Sequence, residues 1–175
     1  MSELRKKHSS ILKPKTPKKE ELEKLIDETL QTNEEDDEAL LKVANLKWSE
    51  LDTLRNNLSV EVGKVVNFLA VAESKRSDIS EFLADQLPIF DNVINTLKID
   101  TDAFIKTLDQ TSRKHEGRTG EVTTMEDYGI YQNLGMKYTI ALNEYVDLVG
   151  LSMASLEAIF NTLDAKKESL NGQSE

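Results

Sequence analysis

The chain of 175 residues contains no cysteine, only three prolines and only seven glycines. Without cysteine, disulfides, thiolate metal sites and cysteine nucleophiles are all excluded. Because proline and glycine interrupt regular structure, their scarcity favours long helices over a turn-rich β fold. The hydrophobic content of 38% is enough for the core of one domain. We therefore predict an all-α protein.

Long hydrophobic runs are also missing. No uninterrupted apolar stretch approaches the roughly 18 residues of a membrane span. The first residues are polar and basic, unlike the apolar centre of a signal peptide. We expect a cytoplasmic protein without a membrane span, which could be incorporated into a larger particle.

Charge is distributed unevenly along the chain. Residues 1–19 carry a net charge of +6 and the remainder carries −16, which together give −10. The basic residues of this first segment are Arg5, Lys6, Lys7, Lys13, Lys15, Lys18 and Lys19. Such a segment suits docking onto an acidic protein, a nucleic acid or an anionic lipid surface. The acidic remainder would repel phosphates, so the body is not a basic nucleic-acid-binding domain.

Three regions are expected along the chain. Residues 1–16 have few apolar side chains and are predicted to form a flexible basic arm. Residues 17–170 should form one helical bundle or coiled-coil domain with a loop near 111–124, and residues 171–175 a frayed tail. The domain should begin with a short helix over 17–30. That helix would present Leu22, Leu25, Ile26 and Leu30 on one face.

A seven-residue repeat begins at Leu41 and continues to Leu97. Steps of three and four residues select 17 positions, of which 14 are apolar; the exceptions are Arg55, Arg76 and Gln86. A period of 3.5 predicts long helices packed as a left-handed coiled coil. The helix over 34–98 could be continuous, or it could break near 75–88, where Pro88 lies.

The second half of the chain predicts two further helices. One should be capped by Asp100–Asp102, and the last should begin with a capping box of Thr123 and Glu126. The last helix should pack back on the earlier ones as an antiparallel bundle or hairpin. Its glycines at 129, 135 and 150 would allow close approach of a neighbouring helix. The residues expected at helix interfaces are Trp48, Leu51, Leu58, Val62, Val65, Leu69, Tyr138, Leu142, Tyr145, Val149 and Leu156.

Candidate sites for chemistry are few. With only His8 and His115 present, no catalytic triad or two-histidine metal site is evident, so we expect no enzyme, no cofactor and no metal. Arg113, Lys114 and Arg118 make the loop basic. They could contact an anion, or they could be cations placed favourably at a helix C-terminus.

These features favour a non-enzymatic assembly or interaction protein. It would pack through helices as a homo-oligomer or as a subunit of a larger complex, while the arm docks an acidic partner. The alternative is a nucleic-acid-binding accessory factor, in which the arm and the loop at 113–118 contact phosphates.

Overall fold

The computed structural model describes residues 34–173, and 88% of these residues are helical. The helices are α1 (Glu34–Ala44), α2 (Ser49–Ser74), α3 (Arg76–Phe82), α4 (Leu87–Arg113) and α5 (Met125–Gln173), with a 3₁₀ turn at Ala84–Gln86. The described part has no strand, apart from one isolated bridge between Lys47 and Glu121. The all-α prediction is confirmed. The predicted arm (1–16) and the predicted helix at 17–30 lie outside the described residues.

The region of the seven-residue repeat is broken into several helices. Asn45 adopts a left-handed backbone conformation (φ 50°) and ends α1, as the short polar side chain of asparagine permits. The following residues pair with the loop before α5: Trp48 N–H donates to Gly120 O (3.1 Å), and Val122 N–H donates to Leu46 O (2.8 Å). A continuous helix over 34–98 is therefore wrong.

Two further breaks lie within residues 75–88, where the sequence allowed either a continuous or a broken helix. Lys75 separates α2 from α3, and its N–H donates to Ala72 O at 3.0 Å. Leu83 leaves helical geometry (φ −135°, ψ 50°) and ends α3. The chain then restarts as α4, with Pro88 in the first turn, where its missing N–H costs no helical hydrogen bond.

The helix start expected at Asp100–Asp102 is absent, because α4 runs without interruption from Leu87 to Arg113. Thr101 is buried instead, and its hydroxyl lies 3.0 Å from Tyr145 Oη. The last helix starts one residue later than the capping box predicted. Asp127 N–H donates to Thr124 Oγ1 (3.1 Å), so Thr124 rather than Thr123 satisfies the first turn.

The core lies between α2, α4 and α5, with α1 and α3 packed against α5. Every residue expected at a helix interface is buried in it: Trp48, Leu51, Leu58, Val62, Val65, Leu69, Tyr138, Leu142, Tyr145, Val149 and Leu156. Arg55, at a polar position of the repeat, is half-buried and forms an ion pair with Asp109 (3.0 Å). Arg76 is exposed and forms a two-point pair with Asp91. The apolar repeat positions thus fill the interior of a single chain.

The α5 glycines do not serve close helix packing. A Cβ added at Gly129, Gly135 or Gly150 would meet nothing within 4 Å. The expectation that a neighbouring backbone approaches these glycines is therefore wrong.

Candidate functional site

The loop between α4 and α5 is held in place by Arg118. Its guanidinium carbon lies 4.7 Å from the Trp48 ring centroid, and its Nη1 lies 2.9 Å from Asp127 Oδ1. Gly117 and Gly120 turn the chain on either side with positive φ angles of 78° and 75°, a conformation that glycine adopts without steric cost. Arg118 therefore joins the loop to Trp48, the residue just before α2, and to α5.

The other two basic loop residues are separate from Arg118. Arg113 and Lys114 are exposed at the end of α4. Lys137 on α5 lies beside Lys114, and the hydrogen-bonding contact between the two amines lowers the pKa of Lys137. The fold thus brings Lys137 beside Lys114, which the spacing of residues in the sequence did not reveal. We call these two lysines, with Arg113 next to Lys114 in the chain, the basic cluster.

His115 sits in a polar network just after α4, in which the imidazole and Tyr138 are buried and Asp52 is exposed. Its Nε2 lies 2.7 Å from Tyr138 Oη, and its Nδ1 lies 3.1 Å from Asp52 Oδ1 without hydrogen-bond alignment. Burial lowers the pKa of His115, and this effect exceeds the opposing effect of Asp52. Burial also raises the pKa of Tyr138. We assign a neutral imidazole that accepts a hydrogen bond from Tyr138, with Nδ1–H facing Asp52.

A cleft of about 610 Å³ lies over this network. It is lined by Asp52, Arg55, Asn56, Asp109, Ser112, Arg113, His115, Glu116 and Gly117. The charges in this lining are mixed, and Arg55 is already paired with Asp109. Within residues 34–173, no group of three histidine or acidic side chains is arranged to hold a metal ion.

Three tyrosines on α5 are built into the core. Tyr131 donates from Oη to Glu50 Oε2 (2.6 Å), and burial raises its pKa. Tyr145 stacks on Phe104 with ring centroids 4.3 Å apart. Tyr138 faces His115, as described above. These rings pack helix against helix, and they form no exposed stacking surface for nucleic-acid bases.

The side of α5 opposite the core carries exposed apolar side chains. They are Met136 (59% exposed), Ile140 (53%), Leu148 (46%) and Leu151 (72%). At 100° per residue these four lie within one third of the helix circumference, together with Glu144 and Asp147. We call these six residues the outer face of α5. Sequence reasoning missed this face, although its signal is a second apolar stripe outside the seven-residue repeat.

α5 also contains an 18-residue stretch of mean hydropathy 1.3, within Met125–Gly172, which by length and composition could cross a membrane. One third of that stretch (33%) is buried inside the bundle. The central helix of a soluble bundle meets the same criterion, so this is weak evidence for a span. The expected absence of a membrane span stays a prediction.

The remaining predicted site, the basic arm with its seven lysines and arginines, lies outside the described residues. Comparisons of this chain with protein-family models, curated proteins and solved structures find no match. Among the described residues, the outer face of α5 and the basic cluster are the two surface features whose chemistry suits a binding partner.

Proposed function

We propose that this chain is a non-enzymatic interaction protein of the cytoplasm. Its bundle packs the outer face of α5 against a helix of a second copy, and so serves as a subunit of a larger assembly. The basic residues of the first nineteen positions then dock an acidic partner. Among the described residues, His115 is the titratable side chain best placed for acid–base chemistry, because it lines the cleft. Its burial against Tyr138 and Asp52 supports a structural role for it.

The observation that carries this proposal is the clustering of exposed apolar side chains on the outer face of α5. Exposed apolar side chains elsewhere in the described part, such as Val60 on α2 and Ile99 on α4, have no exposed large apolar residue three or four positions further along the helix. Burying apolar surface is worth about 25 cal/mol per Å², so two neighbouring pairs of exposed apolar side chains on one side of a helix favour association more than scattered residues do.

The finer architecture is part of the proposal. Phe90 contacts Phe160, Phe104 stacks on Tyr145, and His115 forms a hydrogen bond with Tyr138. As the chain advances along α4 and into the loop, its partners on α5 therefore have lower and lower residue numbers. This order supports an antiparallel pairing of α4 with α5. Steps of three and four residues between buried positions support coiled-coil packing of the two helices with α2.

The outer face can be tested with a matched pair of substitutions. Leu151→Glu places a charge on the face, whereas Ile99→Glu places the same charge at an exposed site (58%) on α4. Light scattering after size exclusion should show that the wild type and Ile99→Glu self-associate as concentration rises, and that Leu151→Glu stays at the mass of one chain. Equal association of all three proteins would contradict the proposal.

A second candidate function is supported by the basic cluster. Lys114 and Lys137 lie side by side, an arrangement that a phosphate would stabilise. With the basic segment 1–19, the chain could bind nucleic acid as an accessory factor. Binding of a duplex should then fall steeply with salt and weaken further in a Lys114→Glu, Lys137→Glu variant. Duplex binding that is insensitive to salt would exclude this function.

A further inference from the structure

We propose that two copies of the chain pair antiparallel along the outer face of α5, with a two-fold axis level with Asn143 and Glu144. This inference rests on the proposed function, because it gives the geometry of the same surface and the residue that regulates it. The regulating residue is Glu144, which meets its own copy beside the axis. Its negative charge weakens the pair until salt screens the charge or a substitution removes it.

The spacing of exposed residues along α5 reads the same in both directions. Steps of seven and four residues connect six exposed positions on one side of the helix: Gly129, Met136, Ile140, Asp147, Leu151 and Ala158. At 100° per residue, all six lie within about 60° of the helix circumference. The midpoint of the series lies between residues 143 and 144. A two-fold axis at this midpoint places positions at equal distances on either side of it opposite one another, and each contact occurs twice.

This arrangement matches residues by size. The partner's Leu151 lies opposite Met136, so two large side chains, 72% and 59% exposed in one chain, cover each other. The partner's Ala158 lies opposite Gly129, where an added Cβ would meet nothing within 4 Å of its own chain. Small residues at both ends of the series leave room for the two helices to approach until the large central side chains are in contact.

The charges on the outer face favour antiparallel over parallel pairing. In a parallel pair, Glu144 and Asp147 would each lie level with their own copies, and such like-charge contacts are unfavourable. In the antiparallel pair, the partner's Ile140 lies opposite Asp147. The two copies of Asp147 are then about 10 Å apart along the helix axis, which is comparable to the Debye length in physiological salt. Only Glu144 stays close to its copy.

Glu144 is therefore the residue whose charge opposes association. Its side chain is exposed, and no salt bridge within residues 34–173 neutralises it. Two exposed carboxylates repel each other modestly, and added salt screens this repulsion without weakening apolar contacts. Self-association of the wild type should therefore tighten as the salt concentration rises.

Cysteine crosslinking of the full chain tests the geometry, because the chain has no native cysteine. With a short bismaleimide, Glu144→Cys should give a covalent dimer. Met136→Cys should not, since the partner's Met136 lies about 22 Å away along the helix axis. Mixing Met136→Cys with Leu151→Cys should restore the crosslink, and Ile99→Cys on α4 is the exposed control that should give none. A covalent dimer of Met136→Cys alone would show parallel pairing and overturn the inference.

A substitution that removes the charge tests the regulation. Glu144→Gln should lower the dissociation constant of the pair by about twofold to fivefold and reduce its dependence on salt. Glu157→Gln removes the same charge from an exposed position of α5 outside the outer face, and it should change neither quantity. If light scattering on dilution shows the two variants behaving alike, or Glu144→Gln weakening association, Glu144 does not regulate the pair.

These experiments separate the inference from the proposed function. If Leu151→Glu abolishes self-association while Glu144→Cys gives no crosslink in an associating sample, the outer face is the interface but the antiparallel register is wrong. If Leu151→Glu leaves self-association unchanged, the proposed function itself fails, and the inference fails with it.

Discussion

The hydrogen bond between His115 and Tyr138 allows a sharp test of the buried network. Tyr138→Phe keeps the ring that packs in the core and removes only the hydroxyl, which lies 2.7 Å from Nε2. The histidine is 3% exposed, so its Nε2 is largely shielded from water when the hydroxyl is lost. Changing the tautomer does not help, because Nε2 would then be a buried donor without an acceptor.

The expected cost follows from this geometry. An unsatisfied buried polar group destabilises a protein by about 1–3 kcal/mol. Tyr145→Phe on the same helix is the matched control. Its partner Thr101 can turn its hydroxyl to a backbone carbonyl four residues earlier, so the loss of stability there should be smaller.

Urea unfolding followed by circular dichroism measures both changes, with the slope of the unfolding free energy against urea expected to stay constant. A double-mutant cycle of Tyr138→Phe with His115→Ala should give a coupling of about 0.5–3 kcal/mol, because each substitution removes the same contact. If Tyr138→Phe costs less than about 0.5 kcal/mol and the two changes are additive, the proposed network is wrong.

Three further outcomes are expected. The folded chain holds the pKa of His115 below its unfolded value, so the unfolded chain binds a proton more readily. The free energy of unfolding should therefore fall as the pH drops below about 6.5, by at most about 1.4 kcal/mol per pH unit. In urea titrations, His115→Gln should reduce this pH dependence. Gly135→Ala and Gly150→Ala should each stabilise the fold by about 0.5–1 kcal/mol in thermal melts, whereas destabilisation would reveal a hidden contact. Arg118→Ala should shift the fluorescence of Trp48, the single tryptophan, and unchanged emission would contradict the stacking.

The helical class and the core were accessible from local pattern. Apolar residues at steps of three and four, such as Leu58, Val62 and Val65, are buried because a helix places them on one side. The breaks were harder to predict. Asn45 ends α1 although the apolar repeat continues through it, so the repeat gives no sign of the break. The backbone pairing of Trp48 with Gly120 involves a loop more than seventy residues away, which no local pattern reveals.

The surfaces were less accessible than the core. His115 meets Asp52 and Tyr138 only because the end of α4 packs against α2 and α5, and no local motif marks such a network. Lys114 and Lys137 become neighbours for the same reason. The outer face of α5 could have been found, because Met136, Ile140 and Leu151 recur at helical spacing apart from the repeat. Its exposure depends on which sides of α5 the other helices cover.

The central claim is that the outer face of α5 mediates self-association of a helical interaction protein. Small-angle X-ray scattering with light scattering, on the full chain at rising concentration and at low and high salt, tests it most directly. We predict that the particle mass rises above the 19.8 kDa of one chain as concentration increases. The association should remain at high salt, because salt does not screen apolar contacts. A mass that stays at that of one chain under all conditions would contradict the claim.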